Sequence, residues 1–239
     1  MMHQADPLTL LFQLAEAWFN QRLADGGPRY AEYHPDLIIV EPWNALSSIL
    51  MMVPAVYWFF RMKGQWKSMP FFCFALLMVF LGGLGSTLFH AFRISRVFLL
   101  MDVLPSALLT LAIGVYFWFR VLPKWWYVLL IFIPIMVFRV TVFQSLPNHL
   151  SINLSYALTG SLVVVPLLII LVRSEFEKGK TVLAILFSFG LALLFRQLDV
   201  HAFGLLPQGT HFLWHVFSAA GAWFMLDYLF YMETKKKVS

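Results

Sequence analysis

Seven apolar stretches, each near the ~20 residues that a helix needs to cross ~30 Å of hydrocarbon, follow one another along this 239-residue chain. They lie at 42–60, 70–92, 98–119, 125–143, 151–172, 181–198 and 208–231. In hydrocarbon every backbone N–H and C=O must find its partner within the protein, which leaves helices and closed barrels as the only spanning structures. Runs of this length predict helices. With 61% hydrophobic and 12% charged residues, the chain is well above the roughly 45–50% apolar content of soluble domains. The expected fold is all-α: a seven-transmembrane helix bundle over 42–232, preceded by an outer-side segment, 1–41, and followed by a basic tail, 233–239.

The basic residues give an orientation. Eleven lysines and arginines, from Arg61 to Lys237, fall in the connections after spans one, three and five and in the tail, against Arg22, Arg29, Arg93 and Arg96 on the other side. That bias predicts a cytoplasmic C-terminus and an outer or lumenal N-terminus. The net charge of +5 is thereby explained by topology, without a nucleic-acid partner. Leu8, Leu11, Phe12, Ala15, Trp18 and Phe19 have the spacing of an amphipathic interfacial helix. Gln13 and Glu16 break that run, and no basic region precedes it, which argues against a signal peptide. A lone cysteine, Cys73, excludes an intrachain disulfide and a cysteine-rich metal cluster.

Within the last span, His211 and His215 stand one helical turn apart, their imidazoles roughly 6 Å from each other on one face. Ionisable groups in a span are costly and by default face the interior with a task to perform. A catalytic zinc takes three protein ligands, and His90 is the candidate third. It lies near the outer end of span two, with Ser86 one turn before it and Gly82, Gly83 and Gly85 permitting close helix approach. Asp102, early in span three, should lie at the depth of Ser86. Arg139 and Arg196 fall near the outer end of their spans, where they either snorkel or pair with Asp102, Asp199 or Glu41. Three neutral imidazoles leave one position open on a zinc ion, which supplies Lewis acidity and activates water near neutral pH. Asp102 could carry the proton, and Ser86 could donate to a developing oxyanion.

The residues at these positions resemble those of the alkaline ceramidases, within a wider group of seven-span hydrolases that includes the adiponectin-receptor-like proteins. The matching elements run in family order: ExWN at Glu41 to Asn44, SxxxH at Ser86 to His90, the aspartate Asp102, and HxxWH at His211 to His215. Asp199 after span six and ExWN favour the ceramidase branch. The resemblance implies that His90, His211 and His215 bind zinc, while Ser86 and Asp102 assist hydrolysis of a lipid amide to a fatty acid and a sphingoid base. It implies an active site facing the outer or lumenal side of a bacterial inner membrane, or of the endoplasmic reticulum or Golgi. Eukaryotic members carry an acidic calcium-binding segment shortly before ExWN. Here that stretch reads GGPRYAEYHPD, which does not keep the family's pattern; Glu32 and Asp36 within it and Glu41 just after it are candidate oxygen ligands, and Asn44 and Asp199 complete the second-shell or calcium candidates.

Two other classes stay in view. A lipid-sensing receptor would keep zinc as a structural staple with little turnover. A proton or ion transporter would use the His and Asp residues as a relay, but there is neither an internal repeat nor a second cluster to complete a path. A retinal protein is disfavoured, because no span holds a lysine for a Schiff base. The tail KKKVS resembles a dilysine retrieval signal and also suits a positive-inside anchor. Acyl-chain preference and oligomeric state are left open.

Overall fold

The computed structural model describes residues 23–145, 148–202 and 205–235. The expected interfacial helix at Leu8–Phe19 and the KKKVS tail beyond Lys235 lie outside the described residues. Seven helices run through the described chain: α1 (Pro42–Arg61), α2 (Pro70–Phe92), α3 (Arg96–Val121), α4 (Tyr127–Ser145), α5 (Asn148–Arg173), α6 (Gly179–Ala202) and α7 (His211–Lys235). Five segments are long and apolar enough to cross a membrane: Pro42–Arg61, Pro70–Phe92, Arg96–Val121, Leu154–Arg173 and Gly179–Asp199. Tyr127–Thr141, in the fourth expected span, is a shorter apolar helix. The seventh, α7, is 25 residues long and places His211, His215, Asp227 and Glu233 among its apolar residues. The all-α, multi-pass character expected from the hydropathy pattern is therefore observed.

Local chemistry explains the breaks and ends. Helix α1 tightens into a 3-10 turn at Leu50–Met52 before resuming at Val53. Pro54 has no N–H to give to the turn before it, and its ring crowds the carbonyl four residues back. Helix α2 ends where Arg93 adopts a left-handed conformation (φ 52°), its N–H bonding to the Phe89 carbonyl at 2.9 Å. Ser95 then caps α3, its hydroxyl accepting from the Val97 N–H at 3.1 Å.

Two glycines of α2 decide how closely its neighbours approach. A Cβ on Gly85 would collide with the backbone of Met101 and Asp102, and one on Gly83 would lie 3.0 Å from the Met52 backbone nitrogen. The small residues thus bring α3 on one side and α1 on the other into near-backbone contact with α2, setting Asp102 opposite Ser86. Trp58, Phe72, Phe117, Leu167, Tyr228 and Leu229 form the buried core between the helices. Phe60, Leu130, Val172 and Leu183 are exposed on the outside, as side chains facing lipid would be.

Residues 23–41 fold over one end of the bundle. Val40 donates to the Ala91 carbonyl at 2.8 Å and Glu41 to that of His90 at 3.1 Å, so this segment is stitched to the last turn of α2. The other end carries partly exposed pairs, among them Arg120 with Glu233, Lys178 with Asp227 and Lys235 with Glu177.

Candidate metal centre

Helix α2 brings His90, and the first two turns of α7 bring His211 and His215, into one buried cluster. Their side chains offer three nitrogens that all lie within 4.8 Å of one another. Ring centroids are 4.8 Å apart for His90 and His215, 5.2 Å for His90 and His211, and 4.7 Å for His211 and His215. In a tetrahedral zinc site, Zn–N distances near 2.0–2.1 Å put neighbouring nitrogens roughly 3.3 Å apart. Closing on an ion therefore takes side-chain movements on the order of 1 Å.

The surroundings of the three rings fit a metal. His90 gives its Nδ1 hydrogen to Glu41 Oε2 at 2.5 Å. His215 Nδ1 lies 2.9 Å from Ser47 Oγ and 3.2 Å from Ser48 Oγ. Because the Ser47 hydroxyl donates onward to the Asn44 carbonyl at 3.1 Å, it can accept the His215 hydrogen. Both rings are thereby fixed in the tautomer that leaves Nε2 as the lone-pair nitrogen, the role carboxylates and hydroxyls play around metal-bound histidines. The third ring has a buried Nδ1 with no hydrogen-bond partner among the described residues. An unpaired buried nitrogen is costly, and an ion or water at the cluster would remove that cost. Tyr30 covers His211, its ring stacked at 3.9 Å and tilted by 25°.

Ser86 and Asp102 lie beside the histidines. Ser86 is buried, receives a hydrogen bond from Ser48 Oγ at 3.1 Å, and reaches the half-buried Asp102 carboxyl through its own hydroxyl. His90, His211 and His215 thus form one cluster, and Ser86, one turn before His90 on α2, links Ser48 to Asp102.

The other acidic candidates are positioned by backbone chemistry. Glu32 accepts from the Trp43 and Asn44 N–H groups, both at 2.9 Å, and so caps α1, whose first residue is Pro42. Burial pushes its carboxyl up from the ordinary range, while these two N–H bonds pull it down. Asp199 does the same for α7: its Oδ1 accepts from Thr210 at 2.8 Å and His211 at 2.9 Å, and its Oδ2 from Ala31 at 3.0 Å. Gly209 (φ +60°) makes room, since a Cβ there would strike Asp199 Oδ1 and the Ala31 side chain. Each carboxylate also matches the positive end of its helix. Asn44 donates to Glu41 Oε2 at 3.2 Å, while Asp36 is exposed. Of the two arginines left open, Arg139 donates to Ser155. Arg196 is buried, its guanidinium 5.0 Å from the Tyr156 ring and 5.8 Å from that of Trp214.

Several contributors were not singled out by sequence reasoning. Ser47 and Ser48 carry no sequence signal of their own, since serines in apolar helices commonly bond back to their own backbone, as both also do here. Tyr30 and Asp25 come from the segment before α1. In the sequence Arg93 reads as an outer-side charge, yet its side chain is buried. The ExWN motif was the one signal that pointed to Glu41.

Fold and site together define an all-α, multi-span membrane protein with a buried three-histidine cluster suited to a metal ion, consistent with the superfamily of alkaline ceramidases and adiponectin-receptor-like proteins. No family model matches the sequence, and no match is found among curated proteins.

Proposed function

We propose that this protein is a zinc-dependent amidase of the membrane, hydrolysing ceramide or a related N-acyl lipid to a fatty acid and a sphingoid base. The observation that carries this reading is the grouping of three buried histidines with a serine and a half-buried aspartate on three packed helices. Zinc held by His90, His211 and His215 supplies Lewis acidity and water activation. The chain's own residues do the rest. Asp102 accepts a proton from the attacking water as the C–O bond forms, then returns it to the departing nitrogen as the amide C–N bond breaks. While Asp102 is ionised, the Ser86 hydrogen is held by its carboxylate. Once Asp102 is protonated, that hydrogen is free for the oxyanion on the former carbonyl. Glu41, Ser47 and Ser48 keep the imidazoles in the tautomers this requires.

A lipid-sensing receptor with a structural zinc is the alternative, and the coverage of the cluster by Tyr30 favours it. Against it stands Asp102, which meets the Ser86 hydroxyl beside the histidines and is not needed as a ligand. The two are separated by incubating the detergent-purified chain with a panel of N-acyl sphingoid lipids and measuring fatty-acid release. The amidase requires release by the wild type and its loss, with zinc retained, in Asp102→Asn. Zinc-loaded wild type that releases nothing across the panel would remove the enzyme reading in favour of the receptor.

A further inference from the structure

The histidine cluster is backed by a second, fully buried set of charges. The Arg93 guanidinium lies among four oxygens: Asp25 Oδ2 at 2.7 Å, Asp25 Oδ1 at 3.3 Å, the Pro28 carbonyl at 2.8 Å, and Glu41 Oε1. The Arg93 side chain is 1% exposed, and those of Asp25 and Glu41 are 0% exposed. Phe89 closes one side, its ring centroid 4.3 Å from the guanidinium carbon. The other oxygen of Glu41 takes the His90 hydrogen, so this cluster and the histidines share a carboxylate.

Two carboxylates and a backbone carbonyl converging from a turn and a helix start form the kind of oxygen set that binds a hard cation. Calcium takes 6–8 such oxygens at ~2.3–2.6 Å, with water filling gaps. The resemblance to the ceramidases implies calcium in this part of the chain, and the residues present do not fit it. The space is filled by a permanent side-chain cation; of the other acidic candidates, Glu32 and Asp199 are committed to helix N-termini and Asp36 is exposed. We propose that Arg93 is the resident cation of the Asp25, Pro28 and Glu41 cluster, doing through its guanidinium what a calcium ion would do, so that the histidine site is held in place without calcium.

Neutralising Asp25 and Glu41 with a tethered group has a consequence that a bound ion does not. Guanidinium stays charged at all physiological pH and cannot dissociate, so Glu41 is held at one position with its second oxygen aimed at His90. Arg93 is a positioning residue in this scheme. The inference builds on the zinc reading but not on lipid hydrolysis.

The test compares thermal unfolding and zinc content of the full-length, detergent-purified chain in a calcium chelator that spares zinc and in millimolar calcium chloride. Wild type should respond to neither condition; a saturable rise in its melting temperature with calcium would overturn the proposal. Arg93→Ala should unfold at lower temperature in chelator and retain zinc about 10–100-fold more weakly, the usual effect of losing an outer-shell partner. Calcium should restore both, because it enters the emptied oxygen cluster. If Arg93→Ala needs calcium throughout extraction to be recovered folded, the same conclusion follows. A variant that calcium rescues in neither folding, melting temperature nor zinc would contradict it. Arg93→Lys, which keeps a charge, should remain indifferent to calcium. If the wild type lacked zinc, the zinc reading would fail, while the calcium dependence of melting would still decide the role of Arg93.

Discussion

The two ends of this bundle hold their charges in opposite ways. At the histidine end, Asp25, Glu32, Glu41, Arg93 and Asp199 are almost fully removed from solvent, each with several partners. At the other end the pairs remain partly exposed. Arg120 and Glu233 are 23% and 10% exposed, Lys178 and Asp227 38% and 35%. Exposed pairs gain little, because water competes and screens. Buried charges are costly unless every partner is in place, and breaking one pair leaves the other charge stranded. Among the described residues, a fold that bears most of this cost at one end is using that end for something other than stability.

The contrast can be broken by single substitutions. The largest effect is expected from Arg93→Met, which strands Asp25 and Glu41 and should cost about 3–5 kcal/mol in chelator, measured by thermal or denaturant unfolding in detergent. Asp199→Asn comes next. It weakens the acceptor shared by Ala31, Thr210 and His211, and a loss of about 1–3 kcal/mol follows from poorly satisfied buried N–H groups. Since His211 is the first residue of α7, zinc retention should fall with it. Gly85→Ala pushes α3 away from α2 at an overpacking cost of about 1–3 kcal/mol. It also displaces Asp102 from Ser86, so lipid hydrolysis should fall by more than the stability change explains. Lys178→Ala at the opposite end should change stability by less than about 1 kcal/mol and leave zinc unaffected. Equal losses for Arg93→Met and Lys178→Ala would erase the distinction between the ends.

Much of the histidine end was legible in the sequence, because an ionisable residue is conspicuous in an apolar span. His90, His211 and His215 stood out by type and by helical spacing. Ser86 was drawn in by lying one turn from His90, and Asp102 by its depth. The glycines of FLGGLGSTLFH announced close packing, and Gly83 and Gly85 show it against α1 and α3 respectively. What stayed hidden depends on contacts between distant parts of the chain. Arg93 meets Asp25 across 68 residues, and Ser47 meets His215 across 168, and no local pattern encodes either. Glu32 and Asp199 were visible as acidic candidates, but not their work. A carboxylate that caps a helix from outside its own sequence looks the same, in one dimension, as one that binds an ion. Arg93 shows the limit most plainly, since a basic residue in a connection is normally read as topology, and here its side chain turns back into the protein.

The most direct test of the central claim is the metal content of the detergent-purified chain, prepared without added metal, beside His215→Ala. The account predicts stoichiometric zinc in the wild type and its near-complete loss in the variant, with the variant still helical by circular dichroism. Wild type free of zinc, or a His215→Ala protein that binds it as well as wild type, would contradict the assignment of His90, His211 and His215 as a metal centre.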